Sequence, residues 1–243
     1  MRDYAAELDK RVAFIREMLE KSGAKGIVYG NSGGKDCTLV GILCKRACEQ
    51  TVGVIMPCQS KRNYGQDTED ALDAAKQAGI ETLTVDLSAV KAQMLEETNK
   101  ACPVTDQASA NIAPRLRMTV LYAVAQSRGF LVAGTGNRSE RFMGYFTKWG
   151  DGACDFNPIA DLTVTEIYEF LRFLDAPAHI ISKAPSAGLF EGQTDEQEMG
   201  VTYAQIDEYI LHGQAEPAVR EKLDRVHTVT AHKRGMPILY EEG

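Results

Sequence analysis

Residues 29–37, Tyr29-Gly30-Asn31-Ser32-Gly33-Gly34-Lys35-Asp36-Cys37, set three glycines, two small polar side chains, a lysine and an aspartate between two apolar runs. The run before it, Gly26-Ile27-Val28-Tyr29, has the length and character of a buried strand, and the run from Thr38 to Cys48 reads as a helix. A glycine-rich turn from a buried strand into a helix lets backbone N–H groups converge on an anion at the positive end of the helix dipole. The stretch therefore reads as a phosphate cradle, with a plain structural turn as the alternative. It is not a Walker A loop, because the residue six before Lys35 is Tyr29 and the residue after it is Asp36. It also lacks the GxGxxG dinucleotide pattern. A carboxylate beside bound phosphate repels it unless a divalent cation lies between them, which makes Asp36 a candidate magnesium ligand.

Working outward, strands and helices alternate. Leu8, Val12, Ile15 and Leu19 recur at helical spacing before Gly23, predicting a helix over ~3–21. Strands are expected at 51–56 (TVGVIM), 81–87 (ETLTVDL) and 130–135 (FLVAGT), with helices at 67–79, opened by Asp67, and from Asn111 and Pro114 to Gly129. This order predicts an α/β fold, a doubly wound parallel sheet flanked by helices, with ligands at the carboxyl ends of the strands. From Gly134 to Leu162 the sequence is rich in glycine and charge with little periodicity, and long ordered loops of that kind are usually functional. A helix follows at 163–174, then a second irregular stretch at 182–200, then helical segments at 203–213 and 218–229.

The 243 residues are expected to form a single domain, 1–243, and 44% hydrophobic with 25% charged residues argues against disorder. No apolar run approaches the ~18 residues that span a bilayer, and the N-terminus lacks a signal-type apolar segment, so a cytoplasmic protein is expected. Six cysteines without a CxxC pair suggest neither a zinc ribbon nor a dithiol redox site. A net charge of -7 opposes binding to a nucleic-acid backbone and favours small-molecule substrates.

The SGGxD element at Ser32–Asp36 resembles the pyrophosphate loop of the N-type ATP pyrophosphatases, whose fold is of the adenine nucleotide alpha hydrolase type. Farther along, NIAPRLRMTVLY, GTGNRSE, GYFTKWGDGACDFNPIADL, KAPSAGLFEGQTDE, MGVTYAQIDEYI and HKR follow in the order and approximate spacing of the NAD synthetase family, a resemblance running from about Tyr4 to Pro237. It implies that ATP adenylates the nicotinate carboxylate of deamido-NAD and that ammonia then displaces AMP to give NAD. Because the substrate carboxylate is the nucleophile, no Ser, Cys or His triad is required.

By the same resemblance Gly30, Asn31, Ser32, Gly33, Gly34, Lys35, Asp36 and Cys37 hold the ATP phosphates, joined by Thr135, Lys183 and Ser186. Asp36 and Glu140 are the implied magnesium ligands, and Asp36 and Lys183 the residues nearest the chemistry. Arg115, Lys148, Asp155, His232 and Lys233 are the implied deamido-NAD contacts, with Tyr145, Phe146 and Trp149 offering a possible stacking face and Arg117 a structural helix residue. Residues 183–196 match the family's mobile loop over the adenylate. The family is homodimeric with its dinucleotide site at the interface, so a homodimer is implied. Glutamine-dependent relatives carry a further amidohydrolase domain, for which this chain has no room, so free ammonia is the expected donor.

Two positions depart from the family pattern. Cys37 stands where serine is usual, and Val164 where the lysine of an LxKT segment is expected, which predicts weaker ATP binding. The competing readings are another adenylating enzyme of the superfamily, such as a tRNA thiolase carrying sulfur on Cys37 or Cys154, and a nucleotide sensor without turnover. The acidic charge and missing CxxC pair oppose the first; Asp36 and Glu140 oppose the second.

Overall fold

The computed structural model describes residues 2–58, 65–183, 194–237 and 239–240. Helix α1 (Tyr4–Ser22) is capped by Asp3, whose carboxylate accepts from Ala5 N and Ala6 N, and ends at Gly23 in the left-handed conformation. Then follow β1 (Gly26–Gly30), α2 (Lys35–Ala47), β2 (Thr51–Ile55), α3 (Gln66–Ala78), β3 (Glu81–Thr84), α4 (Ser88–Ala101), α5 (Asp106–Ala110), α6 (Ile112–Arg128) and β4 (Phe130–Ala133). The remainder is helical: α7 (Arg138–Met143), α8 (Val164–Phe173), α9 (Ala178–Ser182), α10 (Asp195–Met199), α11 (Tyr203–His212), α12 (Pro217–Val229) and a 3-10 turn (Ala231–Lys233). Among the described residues no helix is long and apolar enough to cross a membrane.

All four strands are parallel, in the order β3-β2-β1-β4. The chain winds from β1 through β2 to β3 on one side, then crosses to place β4 on the other. Strand order therefore reverses between β1 and β4, and the crevice beyond their carboxyl ends is where such a sheet binds ligands. Side-chain alternation explains the two covering layers. Ile27 and Tyr29 face α1, α2 and α8 through Ile15, Leu39, Leu43, Ile167 and Phe170, whereas Val28, Val54 and Val132 face α6 through Ala113 and Ala125. A third cluster joins α7, α8, α11 and α12 through Met143, Val164, Tyr203, Ile206 and Leu223. Its buried anchor is Asp207, which accepts from Ser139 Oγ (2.5 Å), Thr165 N (2.7 Å) and Thr165 Oγ1 (2.7 Å).

The expected elements all form, with shifted ends. The second helix starts at Lys35 rather than Thr38, so Lys35, Asp36 and Cys37 are its first turn, and the last strand stops at Ala133, leaving Gly134 and Thr135 in the loop beyond it. Helices α4, α5, α7, α9 and α10 lie where no element was expected. Four of these are five or six residues long, too short for apolar periodicity to declare itself. Two carry a readable start signal, the capping boxes Asn137–Glu140 and Thr194–Gln197.

Candidate active site

The sheet's switch point opens into a cleft of about 760 Å³ lined by the end of β1, the first turn of α2, the loop after β4, α6 and Lys183. The loop is held from below by α3. Asn31, buried, donates from Nδ2 to Ala71 O (2.9 Å) and accepts from Gly33 N at Oδ1 (3.3 Å). Gly33 has φ +70°, and a Cβ there would lie 2.4 Å from Asp67 O and 2.9 Å from Ala71 N, so only glycine fits between the turn and α3. Gly34 is the N-cap of α2, and Cys37, three residues on, closes back on it: its Sγ accepts from Gly34 N at 3.2 Å. The thiol is thus engaged with the loop's own backbone.

Asp36 accepts from Lys35 Nζ (2.8 Å) and from Asn137 Nδ2 (3.1 Å), a contact spanning 101 residues. Asn137 and Glu140 form the capping box of α7: Glu140 N donates to Asn137 Oδ1 (2.9 Å) and Asn137 N to Glu140 Oε2 (3.0 Å). That box brings the Glu140 carboxyl into the cleft beside Asp36. Burial first, and the charge of Asp36 second, push Glu140 up to about 8. Burial alone would lower the Lys35 ammonium, but attraction to Asp36 and Glu140 overcomes it and holds Lys35 above the usual lysine range. Two partly buried carboxylates crowded in this way are the donor set that a hard divalent cation resolves.

Lys183 reaches over the loop from the other side, with Nζ 2.8 Å from Asp67 Oδ1, 2.6 Å from Asp70 Oδ2 and 3.5 Å from Gly33 O. Burial works to raise Asp70, but the hydrogen bonds from Lys183 and Gln66 win and hold it below the usual carboxylate range. Thr135 also lines the cleft. Ser186 and most of the expected mobile loop lie outside the described residues.

The implied deamido-NAD residues divide. Arg115 Nη2 donates to Lys148 O (3.4 Å), Lys148 Nζ to His232 O (2.6 Å), and Lys233 Nζ to Gly144 O (2.8 Å) and Phe146 O (3.0 Å). These four gather at one rim, and Lys233 enters the cleft lining itself. Asp155 lies apart, its Oδ2 accepting from Val132 N (2.7 Å) on β4 and its Oδ1 from Tyr122 OH (3.2 Å) on α6. Tyr145 and Phe146 line the cleft, whereas Trp149, in a left-handed backbone conformation, is 46% exposed beneath Lys148 Nζ.

Some cleft residues were not anticipated. Arg117, read as structural, lines the cleft and donates from Nε to Met56 O (3.1 Å), while burial pulls its guanidinium below the usual value. Pro114, Arg117, Met118 and Leu121 all line it, the i, i+3, i+4, i+7 spacing of one helical face, so the signal was present in the sequence. Asp151 accepts from Thr147 N (2.9 Å). Among the described lining residues seven carboxylates (Asp36, Asp67, Asp106, Glu140, Asp151, Asp195, Glu198) outnumber four cations (Lys35, Arg117, Lys183, Lys233), so a polyphosphate enters favourably only in company with cations.

Residues 7–237 match the sequence model of the family described as NAD synthase. The chain belongs to the NAD synthase family. It is 43% identical over 238 residues, 97% of each chain, to the NH(3)-dependent NAD(+) synthetase of Carboxydothermus hydrogenoformans. Among solved structures, the NMN synthetase from Francisella tularensis matches all of both chains at 34% identity with a TM-score of 0.93. The NH3-dependent NAD synthetase from Campylobacter jejuni matches 99% of this chain and 100% of its own at 32% identity, with a TM-score of 0.79. The glycine turn, Asp36–Glu140 pair and basic rim described above all fall inside the matched span of this NAD synthase family member.

Proposed function

We propose that this chain is an ammonia-dependent NAD(+) synthetase, a ligase that uses ATP to convert the nicotinate carboxylate of deamido-NAD to the amide of NAD. The observation that carries the reading is the juxtaposition of a glycine loop at the N-terminus of α2 with the Asp36–Glu140 carboxylates, in the switch-point cleft of a chain that matches this family over residues 7–237. In the first step a nicotinate carboxylate oxygen attacks the α-phosphorus of ATP, the α–β bond breaks and pyrophosphate leaves. In the second, ammonia attacks the acyl carbon, the C–O bond to AMP breaks, and the nitrogen loses a proton. Neither step needs a protein nucleophile.

The chain's own groups supply positioning and charge. The positive end of the α2 dipole and the N–H groups of that helix's first turn, which follow the Asn31–Gly34 turn, hold the departing pyrophosphate. Lys183, near Gly33 and the start of α3, adds positive charge on the same side. Asp36 and Glu140 would hold magnesium, which when bound neutralises phosphate charge. Among the described residues no three His, Cys, Asp or Glu side chains cluster as a ready-made metal site, so phosphate oxygens and water would complete its shell. Arg115, Lys148, His232 and Lys233 form a rim suited to the phosphates of the second nucleotide.

Assembly as a homodimer fits the surface. Helix α4 buries none of its residues and α6 only Ala113, Pro114 and Ala125, leaving Val90 and Met94 exposed on α4. Asp155, bonded to Tyr122 of α6, belongs to this face, and a second copy docked there would give its carboxylate access to a shared dinucleotide site. A cytoplasmic location accords with these substrates.

The test incubates pure protein with ATP, magnesium and deamido-NAD, adding ammonium or glutamine in parallel, and quantifies NAD, AMP and pyrophosphate chromatographically. Equal NAD and AMP with ammonium alone are expected; pyrophosphate without NAD would overturn the reading. A second reading, amidation of the mononucleotide, is favoured by the whole-chain match to the NMN synthetase. Offering nicotinate mononucleotide in the same assay decides between them by the ratio of kcat/KM values.

A further inference from the structure

Lys35 is the least expected charge in the cleft. It sits in the first turn of a 13-residue helix and is only 7% exposed, where the helix dipole opposes a cation and burial penalises an ammonium. The surroundings explain its presence. Its Nζ is 2.8 Å from Asp36 Oδ2, feels the Glu140 carboxyl, and lies 5.5 Å over the ring of Tyr203, with Tyr168 also close enough to act on its charge. Tyr203 and Tyr168 pack in the cluster that contains Val164. Val164, 3% exposed, is the first residue of α8, and Tyr168, one turn later on the same face, lines the cleft. Position 164 and Lys35 therefore approach one tyrosine wall from two different elements, and of these two residues Lys35 is the charged one.

We propose that the Lys35 side chain is an ATP-phosphate-binding cation of this cleft, and that it supplies from the phosphate loop the positive charge that a lysine at position 164 would supply from the start of α8. The proposal rests on the reading of the cleft as an ATP site. With Lys35 paired to Asp36, the carboxylate pair meets an incoming polyphosphate partly neutralised. Val164 then carries no penalty for ATP binding, because a lysine there would duplicate a charge already present.

Titration calorimetry with ATP, with and without magnesium, tests this on wild type, Lys35→Met, Lys35→Arg and the Lys35→Met/Val164→Lys double variant, with circular dichroism and melting as fold controls. Lys35→Met is expected to weaken ATP about ten- to a hundredfold, the range for a charge-assisted contact. Lys35→Arg should retain most of the affinity, and the double variant should recover most of what Lys35→Met loses. An affinity within about twofold of wild type for Lys35→Met would overturn the proposal, as would a folded double variant no tighter than Lys35→Met. If Val164→Lys prevents folding, the Arg and Met variants decide: equal weakness in both overturns it. Wild type that binds ATP yet makes no NAD would remove the proposed function and leave this inference standing.

Discussion

With its carboxyl buried beside Asp36, Glu140 titrates at about 8 rather than at its ordinary value of 4.5. The folded state then holds this proton more tightly than the unfolded state does, so the group's contribution to stability is complete below pH 4.5 and is lost as pH rises toward 8. Calorimetric melting of the metal-free protein should show a decline across that window, flattened in Glu140→Gln, which keeps the acceptor for Asn137 N. Magnesium should raise the melting temperature more at the alkaline end, where the carboxylate is ionised. Asp36→Ala removes only the bonds to Lys35 and Asn137. Pyrophosphate release should fall by about a hundredfold or more while the circular dichroism spectrum is retained; substantial turnover in this variant would remove Asp36 from the site.

At the scale of elements, the site depends on how closely α3 seats against the loop. Gly33 and Gly34 are neighbours in sequence and opposites in environment. A Cβ on Gly33 meets the α3 backbone in a left-handed conformation, whereas one on Gly34 has φ -94° and meets only Ser32 Oγ at 3.3 Å. Gly33→Ala should therefore destabilise by about 2–4 kcal/mol, combining left-handed strain with overpacking, and weaken ATP binding. Gly34→Ala should lie near wild type in melting temperature. Lys183→Met should lower kcat/KM for ATP about tenfold, and it leaves Asp70, 4% exposed, with Gln66 as a hydrogen-bond partner; steady-state kinetics at varied ATP checks the effect.

For the whole molecule, the doubly wound sheet explains why one cleft gathers residues as far apart in the chain as Gly30 and Lys233. Its two faces differ in how fully they are covered: α1, α2 and α8 contribute fully buried side chains, while α4 and α6 leave theirs half in solvent. Light scattering should report a dimer. Met94→Asp, 48% exposed on α4, should yield monomers with the fold intact and deamido-NAD affinity reduced more than ATP affinity. A dimer unaffected by this change would place the interface elsewhere.

Much of this was local information. The buried strand Gly26–Gly30, the glycine turn and the start of α2 were legible because a few consecutive residues specify them, and the alternation of such units implied a parallel sheet before any contact was known. Glycine at 33 and the acidic partner at 36 belong to the same class. Tertiary structure alone decided which charges meet. Asn137 and Glu140 converge on Asp36 because packing lays the α7 capping box across the first turn of α2, and no periodicity encodes a contact between residues 101 positions apart. Arg117 faces the cleft and Arg115 the rim because two residues on a helix turn through about 200°, a direction that acquires meaning only once the sheet shows which side is inward. Asp155 is set against β4 because the loop beyond that strand folds back, so that its carboxylate accepts from Val132 N. Sequence fixes each residue's chemistry and local geometry, while the folded layers set the distances over which that chemistry acts.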